Sequence, residues 1–416
     1  MTDKLKNLLL VLLLGVMIAL LVLTFLVSVR GGTAGLQLLQ PVEEQELSNT
    51  EATARAMAQP ETLTLMGPNG LYLTDESRDY DLLYQQIEPL FQEAVGSAGE
   101  LQALTEADYL TMLETSGVLL QYYAPQPLWL LQAWGGSGNL REDLEVSAAA
   151  MVADGERVAL LLSDREGNRW MAETAASLPE LETLSAAAGQ CNARFAGQND
   201  AVAADTVLTT VVGRYPTLLV HQPELVTRGE LSKSVQSLFG MNAYLTRVYQ
   251  NTDGSLVYVE SHSTISLTPK GDLTYTGTAG IGLELTDSGA ARKAELCWKV
   301  YDLLCRLWEQ AGASGTLSLE EVSLQGDSGT LRFGLRAGGL FLERSEGSWV
   351  TVTVENGAIT SLTAALRLME EGASVQLLPA YQAQAVLPKG RAALRVRLLA
   401  QEDGLLTPQI CRVTEE

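Results

Sequence analysis

Residues 286–310, TDSGAARKAELCWKVYDLLCRLWEQ, decide the fold class of this chain. Their apolar side chains recur at helical spacing and form one stripe: Leu296, Val300, Leu303, Leu304, Leu307 and Ala311. Gly312 follows, the residue type that commonly ends a helix. The apolar surface is wider than this stripe, with further members at Trp298, Tyr301, Cys305 and Trp308. We therefore expect a helix that packs against two layers or two domains.

Strand-like segments follow this helix, joined by turns rich in glycine. They run over residues 316–324, 330–335, 341–345, 349–355 and 359–367, and the tail at 375–413 adds two or three more. One turn is Asn356-Gly357, a dipeptide typical of tight hairpins. A helix followed by an antiparallel meander predicts an α+β fold.

The segment before the helix also mixes strands with helices. Residues 62–74 predict a hairpin, and 146–153, 157–163 and 170–174 predict three more strands. Between them, residues 118–134 are apolar and aromatic but contain Pro125 and Pro127. Because proline removes a ladder hydrogen bond, we expect no single central strand there.

A second apolar stretch, LLLVLLLGVMIALLVLTFLVSV, runs from Leu8 to Val29. It is uncharged over about 22 residues, slightly more than the roughly 20 that cross a bilayer core. Lys4 and Lys6 precede it, which places the N-terminus in the cytoplasm and the bulk of the chain outside. A cleaved signal peptide is the alternative, but its apolar region is normally about 7–15 residues long. We expect an uncleaved, single-pass anchor in the cell membrane.

These patterns together predict an α+β protein with a single N-terminal transmembrane helix and two or three extracytoplasmic domains of antiparallel sheet with packed helices. Without the anchor, roughly 385 residues remain, enough for that number of hydrophobic cores. The expected divisions are a cytoplasmic N-terminus at 1–7, the transmembrane helix at 8–29, a spacer at 30–59, an α+β domain at 60–205, a β-rich domain at 206–285 and a C-terminal α+β domain at 286–416.

The charge balance excludes one class of partner. The chain has 28 basic and 50 acidic residues, a formal net charge of −22. Such a surface repels nucleic acid and anionic envelope polymers, so we expect it to bind neither.

Four cysteines lie far apart in the sequence. Cys297 and Cys305 are about 12 Å apart along a helix that rises 1.5 Å per residue, too far for a disulfide. We expect the four cysteines, Cys191, Cys297, Cys305 and Cys411, to be small core residues. A long-range bridge from Cys191 to either helix cysteine is left open.

No motif in the sequence predicts catalysis. Gly326-Asp327-Ser328-Gly329 resembles the sequence around the nucleophile of trypsin-like proteases, but that chemistry needs a histidine base in reach of the serine. The sequence holds two histidines, His221 and His262, and neither lies in that family's histidine motif. We therefore predict no catalytic residue, no cofactor and no metal site, and expect that the protein is not an enzyme.

Three stretches of the chain carry a family resemblance: LFGMNAYLTRVY at 238–249, DGSLVYVE at 253–260 and GDLTYT at 271–276. They resemble the YycH family. The helix at 286–310 and VTVENGAIT at 352–360 are similar to the family's C-terminal region, which YycI shares and which looks like PepSY-type modules. The resemblance implies a single-pass membrane protein with a multi-domain part outside.

The resemblance also implies a function. Members associate with YycI and with the WalK (YycG) sensor kinase, and they modulate its control of cell-wall metabolism in low-GC Gram-positive bacteria. We expect a non-enzymatic regulator whose partners are a WalK-like sensor histidine kinase and a YycI-like protein; a homodimer is left open. Gly15 and Ala19, four residues apart in the predicted span, form a small face that suits contact with a partner helix.

The alternative function is an anchored binding or chaperone-like module for an envelope polymer or a secreted enzyme. An exposed aromatic groove would support it, formed by Tyr122, Tyr123, Trp129 and Trp134. Burial of these rings would favour the regulatory function.

Overall fold

Two sheets, antiparallel except for one strand pair, and the helices packed on them make up the described part of the protein. The computed structural model describes residues 57–74, 77–135, 144–187, 191–197, 200, 202–228, 231–344, 347–385, 393–400 and 405–413. The expected anchor at 8–29, with Gly15 and Ala19, lies outside these residues. Within them, none of the helices has the length and hydrophobicity that a bilayer crossing requires.

The first sheet comes from the N-terminal half of the described residues. Its strands are β1 Thr62–Gly67, β2 Gly70–Leu73, β3 Gln102–Ala103, β4 Gly117–Pro127, β5 Glu145–Asp154, β6 Arg157–Ser163, β7 Arg169–Glu173, β8 Ala193–Phe195 and β9 Val207–Thr209. Their spatial order is β3-β7-β6-β5-β4-β1-β2-β8-β9. The helices of this half are α1 Ser77–Ser97, α2 Glu106–Leu113, α3 Leu128–Gly135 and α4 Leu178–Ala186.

Strand β4 corrects one expectation. Pro125 and Pro127 predicted no single central strand within 118–134, yet β4 is one strand between β1 and β5. β1 pairs with it only up to Gln121, and the register with β5 shifts between Gln121 and Gln126. Both prolines therefore lie where the ladder is interrupted or ends, and the amide hydrogens that they lack cost little there.

The second sheet comes from the C-terminal half. Its strands are β10 Gly213–His221, β11 Arg247–Gln250, β12 Leu256–Glu260, β13 Ser263–Leu267, β14 Asp272–Gly282, β15 Thr316–Gln325, β16 Ser328–Ala337, β17 Leu340–Leu342, β18 Val350–Glu355, β19 Ala358–Ala365, β20 Leu368–Leu377, β21 Ala393–Ala400 and β22 Leu405–Val413. The order is β11-β12-β13-β14-β19-β18-β16-β17-β21-β22-β10-β20, and β15 pairs with β16. β17 and β21 are parallel. The helices are α5 Glu224–Thr227, α6 Lys233–Leu238, α7 Gly289–Ala311 and α8 Ala380–Ala383.

Helix α7 joins the two halves, as its wide apolar surface predicted. It ends at Gly312, which adopts a left-handed conformation with φ 63°. Helix α3 packs on α7, strand β4 packs on β15, and Gln126 Nε2 donates to Leu319 O at 3.0 Å. Buried side chains of both sheets form one continuous core. The expected α+β class is confirmed, with the helices clustered on antiparallel sheets.

Each of the predicted domain borders at 205 and 285 separates strands that belong to the same sheet. The border at 205 falls between β8 and β9 of the first sheet. The border at 285 falls between β14 and α7, and strands from both of its sides belong to the second sheet. The division into domains stays a prediction.

All four cysteines are free, so Cys191 pairs with neither helix cysteine. Cys297 is buried, and burial raises the pKa of its thiol. Cys191 and Cys305, also expected in the core, are exposed instead, and Cys411 is half-buried. The side chain of Cys305, eight residues further along a helix with 3.6 residues per turn, is rotated by about 80° from that of Cys297.

Candidate interaction surface

Strand β11 is the outermost strand at one end of the second sheet, paired on one side with β12. All four of its side chains are exposed. Several of the large exposed apolar residues cluster here: Tyr244 is 84% exposed, Leu245 67%, Val248 54% and Tyr249 52%. These four residues, with Arg247 and Gln250, are termed the edge surface. Apolar patches on a protein surface mark sites of interaction, and open strand edges accept further strands.

A turn that is fixed by hydrogen bonds holds the side chains of Tyr244 and Leu245 toward solvent. Asn242 Oδ1 accepts a hydrogen bond from Tyr244 N at 3.0 Å, and Asn242 O accepts one from Leu245 N at 2.8 Å. Glu260 Oε2 in turn accepts from Asn242 N at 2.6 Å. Just before this turn, Phe239 is buried with its ring 5.0 Å from that of Tyr275. The buried anchor and the hydrogen-bonded turn make the exposure of the two apolar side chains a fixed feature of the fold.

The backbone of β11 offers open groups to solvent. Asn251 N donates to Ser255 O at 2.8 Å at the end of the β11–β12 hairpin. Hydrogen-bonded pairs alternate along an antiparallel ladder, so Tyr249 and Arg247 bond inward to Val257 and Val259, their register partners. The N–H and C=O groups of Val248 and Gln250 therefore point away from the sheet.

Two cations flank the apolar residues. Lys233 Nζ lies 4.7 Å from the centroid of the Tyr244 ring, and Arg247 is exposed on β11 itself. Neither forms an ion pair with another residue that the structure describes. The nearby carboxylates serve the backbone instead: Glu260 holds the turn, and Asp253 Oδ1 accepts from Ser255 N at 2.9 Å. The backbone hydrogen bond from Ser255 lowers the pKa of Asp253. The edge surface is thus apolar and is flanked by two cations that form no ion pair with another described residue.

A cleft of about 1090 Å³ lies between the two sheets, and its chemistry differs from that of the edge surface. Arg169, on its wall, pairs with Asp205 at 3.4 Å and with Glu106 at 3.7 Å. Arg336 lies over the Tyr80 ring, 4.5 Å from its centroid. Arg169 is ion-paired inside the fold, whereas Lys233 and Arg247 form no ion pair with another described residue.

The aromatic groove considered from the sequence is not present at the described rings. Tyr122 is 2% exposed and Trp129 8%. Tyr123 stacks on Phe341 with ring centroids 4.0 Å apart. The side chain of Trp134 lies outside the described residues. Tyr122 and Trp129 are thus buried and Tyr123 is half-buried, which argues against the exposed aromatic groove of the binding-module alternative.

The protease-like stretch, residues 326–329, forms the turn between β15 and β16 and the start of β16. Asp327 takes hydrogen bonds from Arg292 Nε at 2.9 Å, which fasten the β15–β16 turn to α7, and this contact lowers the pKa of Asp327. Ser328 Oγ accepts from Asn356 N at 2.9 Å. Elsewhere in the described ranges, no three His, Cys, Asp or Glu side chains meet in an arrangement suited to a metal ion.

Residues 238–249 stand out in the sequence by their family resemblance and not as an exposed surface. The signal that could have found it is the apolar set Tyr244, Leu245, Val248 and Tyr249, which does not alternate with polar residues as a half-buried strand does. The sequence alone does not reveal that β11 lies at the end of the sheet.

A comparison with solved structures finds one that covers most of this chain. The crystal structure of YycH from Bacillus subtilis superposes with a TM-score of 0.52 over 89% of this chain and 99% of that chain, at 9% sequence identity. No protein-family model and no curated protein sequence matches the chain. The resemblance found in the sequence is confirmed at the level of fold, while the PepSY-like character of the C-terminal region stays a prediction. This chain has a YycH-like fold.

Proposed function

We propose that this chain is a membrane-anchored, non-catalytic regulator of a sensor histidine kinase that controls cell-wall homeostasis. The observation that carries the proposal is the YycH-like fold, combined with an exposed apolar edge that is rigidly built and suited to protein contact. Its partners would be a WalK-like kinase and a YycI-like protein, as the family resemblance implies.

The proposed topology rests on the sequence. The stretch from Leu8 to Val29 would cross the membrane with the N-terminus in the cytoplasm. Gly15 and Ala19 would let the span pack laterally on a helix of the kinase. Nearly all the described residues would then face the outside of the cell.

The shared core supports a mechanism in which contact at the ectodomain reaches the membrane. Because both sheets share buried side chains, a partner bound at the edge surface would move the ectodomain as one unit. Such a partner regulates the kinase only if it favours one of two arrangements of the complex. The alternative, an anchored binding or chaperone-like module for an envelope polymer or a secreted enzyme, has less support because Tyr122 and Trp129 are buried.

Photocrosslinking in membranes tests the proposal. A photoreactive group is placed in turn at each position from Gly15 to Val22 of the full chain, expressed with the sensor histidine kinase. We expect kinase adducts at helical spacing that disappear in the double variant Gly15→Leu, Ala19→Leu. Met17→Leu, on the opposite face of the predicted helix, is the matched control and should retain them. Capture of lipid alone at every position would contradict the proposal.

A further inference from the structure

We propose that the edge surface binds an extended acidic segment of a partner protein, which adds to the second sheet as a strand beside β11. This inference deepens the proposed function, on which it rests, by specifying the chemistry of the partner.

The open backbone supplies the first part of the argument. The N–H and C=O groups of Val248 and Gln250 point outward, spaced as an incoming strand requires. In strand addition, these main-chain hydrogen bonds give affinity and the alternating side chains give specificity. The turn fixed by Asn242 keeps this edge in place before any partner arrives.

The side chains supply the second part. Val248 and Tyr249 lie on opposite faces of β11, and both are more than half exposed. An incoming strand would therefore bury apolar area on both of its faces. Cross-strand pairs of aromatic and β-branched side chains stabilise such contacts. The partner segment should thus carry β-branched or aromatic residues at alternate positions.

Charge determines what kind of segment fits. Lys233 and Arg247 have no ion-pair partner among the described residues, and Glu260 and Asp253 are occupied by backbone donors. An acidic segment would pair with both cations. A second copy of this chain would instead bring its own Lys233 and Arg247 to the junction, so that cations would face cations. The charges therefore favour a different, acidic partner.

A binding experiment with a defined peptide tests this inference. The probe is the fluorescent peptide Glu-Val-Thr-Tyr-Glu-Val-Thr-Glu, titrated with the full chain in lipid nanodiscs and followed by anisotropy. We expect saturable binding that weakens at least about tenfold when Lys replaces each Glu. The same loss is expected when alternate backbone nitrogens are methylated, because methylation removes the ladder donors. Equal binding of the methylated peptide would overturn the inference.

Variants of the chain place the binding at β11. Val248→Pro removes an outward N–H without breaking the ladder to β12, and Tyr249→Asp adds a repelling charge. Each should weaken binding of the peptide at least about tenfold, an energy of about 1.4 kcal/mol. Leu82→Asp is the matched control, since Leu82 is 43% exposed on α1, and it should bind like the wild type. An unchanged urea midpoint confirms that each variant folds.

The outcomes separate the two proposals. A peptide that fails to bind, while the photocrosslinks along Gly15–Val22 still capture the kinase, overturns this inference and leaves the proposed function standing. A dimer of the chain that Val248→Pro dissociates, in place of peptide binding, would show that a second copy is the occupant and would overturn it as well.

Discussion

The two ends of the second sheet differ in length and in surface chemistry. Strand β20, at one end, is ten residues long and carries the exposed carboxylates of Glu370 and Glu371. Strand β11, at the other end, is four residues long and exposes Val248 and Tyr249. Charged residues on an edge strand discourage pairing with other chains, and apolar residues invite it. The comparison indicates that one end is protected and the other is available for contact.

The two ends also differ in how far the fold depends on them. β20 pairs with β10 from Leu368 to Leu377, and Thr217 Oγ1 donates to Ala373 O at 3.0 Å. Met369 N donates to Ser314 Oγ, also at 3.0 Å, which ties β20 to the segment after α7. β11 is held by β12 and by the turn before it. We conclude that β20 completes the fold, while β11 presents a surface.

The largest expected effect is a difference in stability between a variant in the interior of the second sheet and a variant at its β11 end. Phe333→Ala removes a fully buried ring beside Tyr301 and should lower the free energy of unfolding by about 3–5 kcal/mol. Tyr249→Ala should change it by less than about 0.5 kcal/mol, because the ring is half exposed. Urea denaturation followed by circular dichroism measures both. A Tyr249→Ala variant as unstable as Phe333→Ala would show that β11 is structural and would break the comparison.

The next effect tests the contact of Glu295 on α7 with the segment that joins β14 to this helix. Glu295 accepts hydrogen bonds from Thr286 N at 2.7 Å and Asp287 N at 2.9 Å, and Lys299 Nζ lies 3.0 Å away. Burial opposes its ionisation, but these contacts outweigh burial and lower its pKa to about 2. Because the folded pKa lies below the unfolded value of about 4.3, the stabilisation is complete above that pH and is lost as pH falls toward about 2.

Glu295→Gln should therefore destabilise the protein by about 1–2 kcal/mol at pH 7 and by much less near pH 2. Urea midpoints measured across this pH range give the difference. Glu309→Gln, at an exposed position of the same helix, is the control and should match the wild type at every pH. A cost for Glu295→Gln that is equal at both pH values would contradict the assignment.

A smaller effect is expected when the chemistry of the β20 end is reversed. Glu370→Val with Glu371→Tyr removes the protecting carboxylates and gives β20 the apolar character of β11. We expect self-association at least about tenfold stronger than in the wild type, about 1.4 kcal/mol, measured by sedimentation velocity. Glu370→Gln with Glu371→Gln is the matched polar control. If the apolar double variant associates no more than this control, charge is not what protects that end.

The smallest effect is the salt dependence of peptide binding at the edge surface. Lys233 and Arg247 are exposed, so each ion pair should contribute up to about 1 kcal/mol and be screened by salt. Binding of the acidic peptide should weaken about three- to tenfold between low and high ionic strength, measured by anisotropy. Binding that is independent of salt would leave only the apolar and backbone contacts.

Much of the fold could be predicted from local patterns. The β1–β2 hairpin, the strands of the meander and α7 with its Gly312 terminus are confirmed, because period-two and period-3.6 patterns and turn glycines act within a few residues of the chain. The prediction of no single central strand within 118–134 was wrong, because the effect of Pro125 depends on whether neighbouring strands pair at that position. That register is set by residues far along the chain.

The edge surface could not be predicted for a similar reason. Its residues are visible in the sequence, but its position depends on the pairing of β14 with β19, which leaves β11 outermost. Strand order is a property of distant contacts, and no local pattern encodes it. The exposure of Tyr249 follows from that order.

Backbone hydrogen exchange tests the central claim, that β11 is the contact edge of this protein. The full chain, purified from membranes alone and together with the sensor histidine kinase, is compared amide by amide with β20 as the internal reference. We predict that exchange at Val248 and Gln250 slows at least about tenfold in the complex while β20 is unchanged. Unchanged exchange at β11, with new protection in β20, would contradict the claim.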